Sequence, residues 1–250
     1  MDATEITAII FSCIFGGALL GMWLRGVLPD HHLDADNKNL LQLGVGLVGT
    51  MAALLLGLLV ASAKSSYDAR STELTQMAAS AILLDRALAH YGPSTIEIRH
   101  TLKMTIARTI DQIWSKDGKG GGLLAPSAGG EVVFDDIQAL VPHSDAQRSI
   151  QSQAVSILVG YGQTRLLLAA QSGTSISTPF LVVVVFWLTV LFISFGLIAS
   201  HNTTAIVILL VAAISVAGAL FLILELDQPF SGLIQISSAP MRNALAVLGR

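Results

Sequence analysis

Between Arg165 and Glu225 the chain carries no Asp, Glu, Lys or Arg. A helix needs about 20 mostly apolar residues to cross the hydrocarbon layer of a bilayer, and residues 179–199 and 203–224 each supply that length. Between them Ser200-His201-Asn202-Thr203-Thr204 reads as a tight polar turn, so the stretch predicts a transmembrane hairpin. The first quarter repeats the pattern. Residues 6–24 are uncharged up to Arg25, and residues 39–63 are uncharged between Lys38 and Lys64. Four spans follow, which excludes most soluble-enzyme architectures.

Composition agrees with this reading: 53% of residues are hydrophobic and only 12% are charged, the balance of a polytopic membrane protein with a modest soluble part. A net charge of −3 without a basic arm gives no footing for a nucleic-acid partner. The one cysteine, Cys13, lies inside the first apolar run and reads as a small packing residue. An acidic start, Met-Asp-Ala-Thr-Glu, and Arg25 in place of a small-residue cleavage site predict a retained first span. Four spans put both termini and the middle segment on one side. Near the span ends that side holds Lys64, Arg70, Arg165 and Arg242, against Arg25 and Lys38 on the other. The bias predicts a cytoplasmic middle segment.

The expected fold is therefore all-α. Residues 1–63 hold spans one and two, 64–178 a helical cytoplasmic domain, 179–226 spans three and four, and 227–250 a cytoplasmic tail. After Lys64, Leu74, Met77, Ala81, Leu84, Leu88 and Tyr91 are spaced 3-4-3-4-3, a short heptad seam. No proline lies between Leu40 and Tyr91, so span two is expected to continue as one rod of roughly 75 Å until Gly92-Pro93 ends it. Ser94-Thr95-Ile96-Glu97 reads as a capping box opening a helix through Leu102, Ile106, Ile110 and Ile113. Residues 116–130, rich in glycine, read as a loop, and 132–140 are ambiguous. Ser144-Asp145-Ala146-Gln147 caps a further helix with a seam at Ile150, Ala154, Ile157, Tyr161, Thr164 and Leu168. Thr178-Pro179 opens span three, and Met241, Leu245 and Leu248 mark a small amphipathic terminal helix.

Several strings together resemble the bacterial bestrophin-like membrane protein family. They are Leu84-Asp85-Arg86, His90-Tyr91-Gly92-Pro93, Leu28-Pro29-Asp30-His31-His32-Leu33, Phe186-Trp187-Leu188-Thr189 and Leu224-Glu225-Leu226-Asp227-Gln228-Pro229-Phe230. The resemblance covers nearly the whole chain. It implies a distant likeness to bestrophins, pentameric ion channels with two spans, a large helical cytoplasmic region and two more spans. Expected with it are self-association as a pentamer, inorganic ions as the transported species, and a multi-pass place in the bacterial inner membrane. One departure stands out. Bestrophins narrow their pore with bulky apolar residues, aromatics among them, on the second span, whereas residues 40–63 here contain no aromatic. No gate residue carries over by motif.

Span two holds small residues at i+4 spacing, Gly49, Ala53, Gly57 and Ala61, with Gly46 and Thr50 beside them. Such a stripe lets helix backbones approach closely. It serves either packing against another span of the same subunit or a ring of second spans, with small residues toward neighbours and Leu55, Leu56, Leu59 or Val60 toward a lumen. Apolar constrictions of that kind gate by dewetting. Gly46, Gly49, Thr50, Ala53, Leu56, Gly57, Leu59 and Val60 are thus the pore-lining or helix-packing candidates. Glu225 and Asp227 sit where the dipole of span four disfavours negative charge. They read as ion-pair partners of Lys64, Arg70 or Arg165, or as a cation-attracting ring at the cytoplasmic mouth. Asp85-Arg86 reads as a site for a solvated or inter-helix salt bridge and as a structural lock at the helix end. His31-His32-x-Asp34-x-Asp36 offers metal-type ligands but is equally a helix start, and no metal or other cofactor is assigned. No phosphate loop, nucleophile elbow or zinc-protease motif occurs, so no enzyme activity is expected. The competing class is a non-conducting scaffold or sensor working through its cytoplasmic coiled helices. It needs the seams but no lumen.

Overall fold

A computed structural model describes residues 3–27, 35–114, 128–170, 178–199, 202–230 and 232–250. Among these residues the chain is all-α, with no strand: α1 (Ala3–Val27), α2 (Ala35–Tyr91), α3 (Ile96–Ile113), α4 (Ala128–Gln138), α5 (Asp145–Ala170), α6 (Thr178–Ile198), α7 (Thr203–Asp227) and α8 (Ala239–Val247). The string at residues 28–33, the His31/His32/Asp34 group and most of the glycine-rich loop lie outside the described residues, as do Ser200 and His201 of the polar turn. Four helices are long and apolar enough to cross a membrane: α1, the stretch of α2 from Asn39 onward, α6 and α7. The chain divides into two units, Met1–Ser65 with Ser175–Asp227, and Ser66–Thr174 with Gln228–Arg250.

In the membrane unit, α1 packs mainly on α6 and secondarily on α7. The run Leu181-Val182-Val183-Val184-Val185-Phe186 has strand-like composition, yet it is helical. In hydrocarbon every backbone group must be satisfied within the segment, which overrides propensity. Glycine makes the α1–α6 contact possible. A Cβ on Gly21 would overlap the Ile193 carbonyl oxygen, and one on Gly196 would overlap the Ala18 carbonyl oxygen. Gly17 lies against Thr189 in the same seam. Ile14, Ala18, Val184, Leu188, Ala213 and Leu220 fill the core. At the far end Arg25 Nη1 donates to the carbonyls of Ile198 (2.7 Å) and Ala199. These are orphan acceptors of the α6 terminus, where a cation is also favoured by the helix dipole.

The second unit is organised around the later part of α2. Its 3-4-spaced seam is consumed inside the chain: Leu74, Met77, Ala81, Leu84, Leu88 and Tyr91 are between 0% and 4% exposed. All of these but Tyr91 share one core with Ile98, Leu102, Ile106 and Ile110 of α3, Val133 and Ile137 of α4, Ala154 and Leu158 of α5, and Met241 and Ala244 of α8. The seam is therefore not a coil awaiting a partner helix, which corrects the coiled-coil expectation. Gly92 ends α2 at φ 130°, a left-handed conformation that a side chain would strain. The capping box does not form. Thr95 is buried and its hydroxyl turns back to donate to Leu88 O (2.6 Å) and Gly92 O (2.8 Å), tying the start of α3 to the end of α2.

The cap at the start of α5 does form. Gln147 N donates to Ser144 Oγ (3.2 Å) and His143 N to Gln147 Oε1 (2.8 Å), while Gln147 Nε2 reaches Tyr91 O (3.1 Å). Helix α4 begins at Ala128, inside the stretch expected to be loop. The reason is tertiary: Gly129 lies directly against the Thr105 side chain of α3, a contact no larger residue could make.

Candidate functional site

Helix α2 supplies the surface most open to function. Within the membrane unit one narrow ridge of it is committed: Ala52, Leu59 and Ala63 are buried, and Val45, Val48, Leu55 and Leu56 pack partly against the same core. Most of the remaining positions point outward. Only 11% of its most apolar window is buried within the chain, against 33%, 33% and 28% for the windows of α1, α6 and α7. A span so weakly held by its own chain presents most of its apolar surface to its surroundings, where van der Waals contact governs helix association.

The sequence candidates divide between the two faces. Leu59 is 6% exposed and Leu56 is half-buried, so both serve packing within the chain, and Leu55 goes with them. Gly49 borders Leu191 of α6 at 3.9 Å from its missing Cβ. Gly46, Thr50, Ala53, Gly57, Val60 and Ala61 are exposed, and no heavy atom lies within 4 Å of a Cβ built on Gly46 or Gly57. Among the described residues these positions are therefore not part of the buried ridge of α2. The Thr50 hydroxyl donates to Gly46 O (2.8 Å), which leaves its methyl group outward. Beside the small residues runs a second outward stripe that sequence reasoning passed over: Leu40, Leu43, Leu47, Met51, Leu54 and Leu58. Its 3-4 spacing is readable in the sequence, as is the Gly17-x-x-x-Gly21 pattern of α1.

Glu225 and Asp227 end α7 and are 4% and 5% exposed. Both are engaged by partners within the chain. Asp85 is held not by its neighbour Arg86, which points outward, but by Arg99 of α3. The guanidinium grips it through Nε (2.8 Å) and Nη2 (2.9 Å), and Gly249 N adds a bond of 3.3 Å to each carboxylate oxygen. Arg99 Nη2 also donates to Arg250 O (2.9 Å) and Lys103 Nζ to Leu248 O (2.9 Å), so the end of α8 is clamped onto α2 and α3. The hydrogen-bonded Asp85 carboxylate raises the Arg99 pKa further above its ordinary value. In the same unit burial pushes the Tyr161 phenol up to about 12. No group of three or more metal-type ligands occurs among the described residues.

The fold is similar to that of two crystal structures of a bacterial bestrophin homologue from Klebsiella pneumoniae, each carrying one substitution. The first aligns with a TM-score of 0.68 at 14% identity over 97% of this chain and 99% of the other. The second aligns with a TM-score of 0.64 at 15% identity over 95% and 99%. At such identities the likeness speaks to fold alone. No curated protein matches the sequence. A family model described as the Bestrophin-like domain matches residues 12–241, nearly the whole chain, and the protein belongs to the bestrophin-like family.

Proposed function

We propose that the protein is a homo-oligomeric ion channel of the bacterial inner membrane, with copies of α2 gathered about a central axis. The observation that carries this reading is the outward face of α2, apolar along a whole span yet unpacked by its own chain. Small residues at Gly46, Thr50, Ala53 and Gly57 suit close approach to a neighbouring subunit. The leucine stripe, with Leu47, Met51, Leu54 and Leu58, then borders the lumen as a constriction that gates by dewetting. Val60 stands at the inner end of the same open face. Family membership supports conduction, and a pentamer is the assembly that the bestrophin likeness favours. Both termini and the second unit are cytoplasmic in this reading.

The scaffold alternative drew its support from the heptad seam, and that seam is spent in the chain's own core. Glu225 and Asp227, buried at the end of α7, fit an internal ion-pair role better than an open cation ring. Purified protein reconstituted in planar bilayers should give currents across salt gradients, and Leu54→Thr or Leu58→Thr should raise them by wetting the constriction. A silent bilayer at every voltage and salt tested, with correctly folded protein present, overturns the proposal.

A further inference from the structure

Two helices of the second unit turn very different faces outward. On α3 the exposed positions include Glu97, His100, Arg108 and Asp111, the charged surface of a helix that stays in water. Between Arg148 and Arg165 of α5 the exposed positions are Ser149, Ser152, Gln153, Ser156, Val159 and Gln163, and no charged residue occurs in that stretch. The part of α2 in the same unit behaves like α5. Thr72, Thr75, Gln76, Ala79 and Leu83 are exposed, with no Asp, Glu, Lys or Arg between Glu73 and Asp85. The α2 face is also less polar than its sequence, because the hydroxyls of Thr72 and Thr75 donate to Asp68 O (2.9 Å) and Ser71 O (3.0 Å) and leave methyl groups outward.

Depletion of charge marks the core of an interface. Amides and hydroxyls on these faces exclude a bilayer as the occupant, and the missing cations exclude nucleic acid. What remains is a neutral protein surface of matching chemistry, and the molecule presents two. We infer that the α5 face of one copy seats on the α2 face of the next, a head-to-tail contact of the kind that closes rings.

Three further features fit this contact. A shallow depression of about 660 Å³ runs along α5 from Asp145 to Ile157, ready to take side chains such as Gln76 and Leu83. Gly160 has no heavy atom within 4 Å of a Cβ built on it, so a second backbone can come close. The charges at one end are complementary. The Gln147–Tyr91 hydrogen bond sets the start of α5 beside the end of α2. Exposed Asp145, which also lies 3.3 Å from Arg148 of its own chain, then offers a carboxylate to exposed Arg86 of the next copy.

The inference rests on the homo-oligomer proposed above, and one experiment separates the two. In full-length protein with Cys13→Ser, one cysteine is placed on α5 (Ser152→Cys or Ser156→Cys) and one on α2 (Gln76→Cys or Ala79→Cys). The protein is then oxidised in native membranes and run on non-reducing gels, with mass photometry of the detergent-extracted material in parallel. The expected result is a ladder of covalent multimers for paired cysteines and none for either single variant. Arg86→Glu should abolish the ladder and Asp145→Arg in the same chain should restore it. A dimer from Ser156→Cys alone, or no ladder from any pair in a preparation that is oligomeric by mass, overturns the α5–α2 contact and leaves the channel proposal standing. A monomeric mass overturns both.

Discussion

The two parts of α2 face opposite situations. Beyond Ser66 its seam lies wholly within the chain's own core, with Leu74 and Met77 fully buried. Before Ser65 it lends the chain a thin ridge around Ala52, Leu59 and Ala63 and leaves the rest open. One helix of 57 residues, about 85 Å long, thus carries a finished interface and an unfinished one. The difference shows that periodicity marks which side of a helix is covered, while only the fold says what covers it. In the second unit α3, α4, α5 and α8 do so. Among the described residues of the membrane unit, most of the outward face stays uncovered.

That contrast can be broken or sharpened by substitution. The largest effect is expected from glycine. Gly21→Leu drives a side chain into the Ile193 backbone, which cannot move aside, and should abolish monodisperse, folded protein in size-exclusion chromatography. Gly57→Leu meets open space and should leave the fold intact while altering assembly or current.

Next is the clamp on α2. Asp85→Ala strands the Arg99 guanidinium against a buried surface, and loss of one partner of such a pair costs about 3–5 kcal/mol. The thermal transition followed by Trp114 fluorescence should fall steeply, with Asp85→Asn milder. Then comes the seam itself. Leu84→Ala should destabilise the second unit by about 2–5 kcal/mol. Leu54→Ala, on the open face, should move that same transition by less than ~0.5 kcal/mol. Equal losses from both would erase the difference between the two parts of the helix.

The smallest effect concerns pH. Burial raises the folded-state pKa of Tyr161 to about 12, above its unfolded value of about 10. The unfolded chain releases that proton first, so stability present below pH ~10 should drain away as pH climbs toward 12. Tyr161→Phe should flatten this part of the denaturation profile, and an unchanged slope would remove Tyr161 as its cause.

Much of the architecture was legible because charge is so costly in hydrocarbon that about 20 apolar residues without it mark a span. The unbroken α2 and its stop at Gly92-Pro93 were legible for an equally simple reason: no proline lies between Leu40 and Tyr91, and no glycine between Gly57 and Gly92. What escaped was the identity of partners. Asp85 sits beside Arg86 in sequence, but adjacent helical positions point about 100° apart, and the residue that holds it is 14 positions on. Ser94 had the right spacing to Glu97 for a capping box, yet α3 begins one residue later, and the buried Thr95 hydroxyl donates to Leu88 O. Ala128-Gly129-Gly130 looked like loop because two glycines disfavour helix, and close approach to Thr105 outweighs that preference. On the candidate surface, the spacing of Gly46, Thr50, Ala53 and Gly57 was visible. That they face outward, and Leu56 and Leu59 inward, depends on where α6 lies.

The bond from Arg25 to the end of α6 spans 173 residues of sequence. A ribosome adding 5–20 residues per second needs roughly 10–35 s to bring the second partner into being. During that interval the first helix waits in the bilayer with Gly17 and Gly21 uncovered, while the residues forming most of the second unit emerge behind it. The earliest segment to enter the lipid is thus among the last to be locked in place. Errors in biogenesis should gather at this junction and not at the rod.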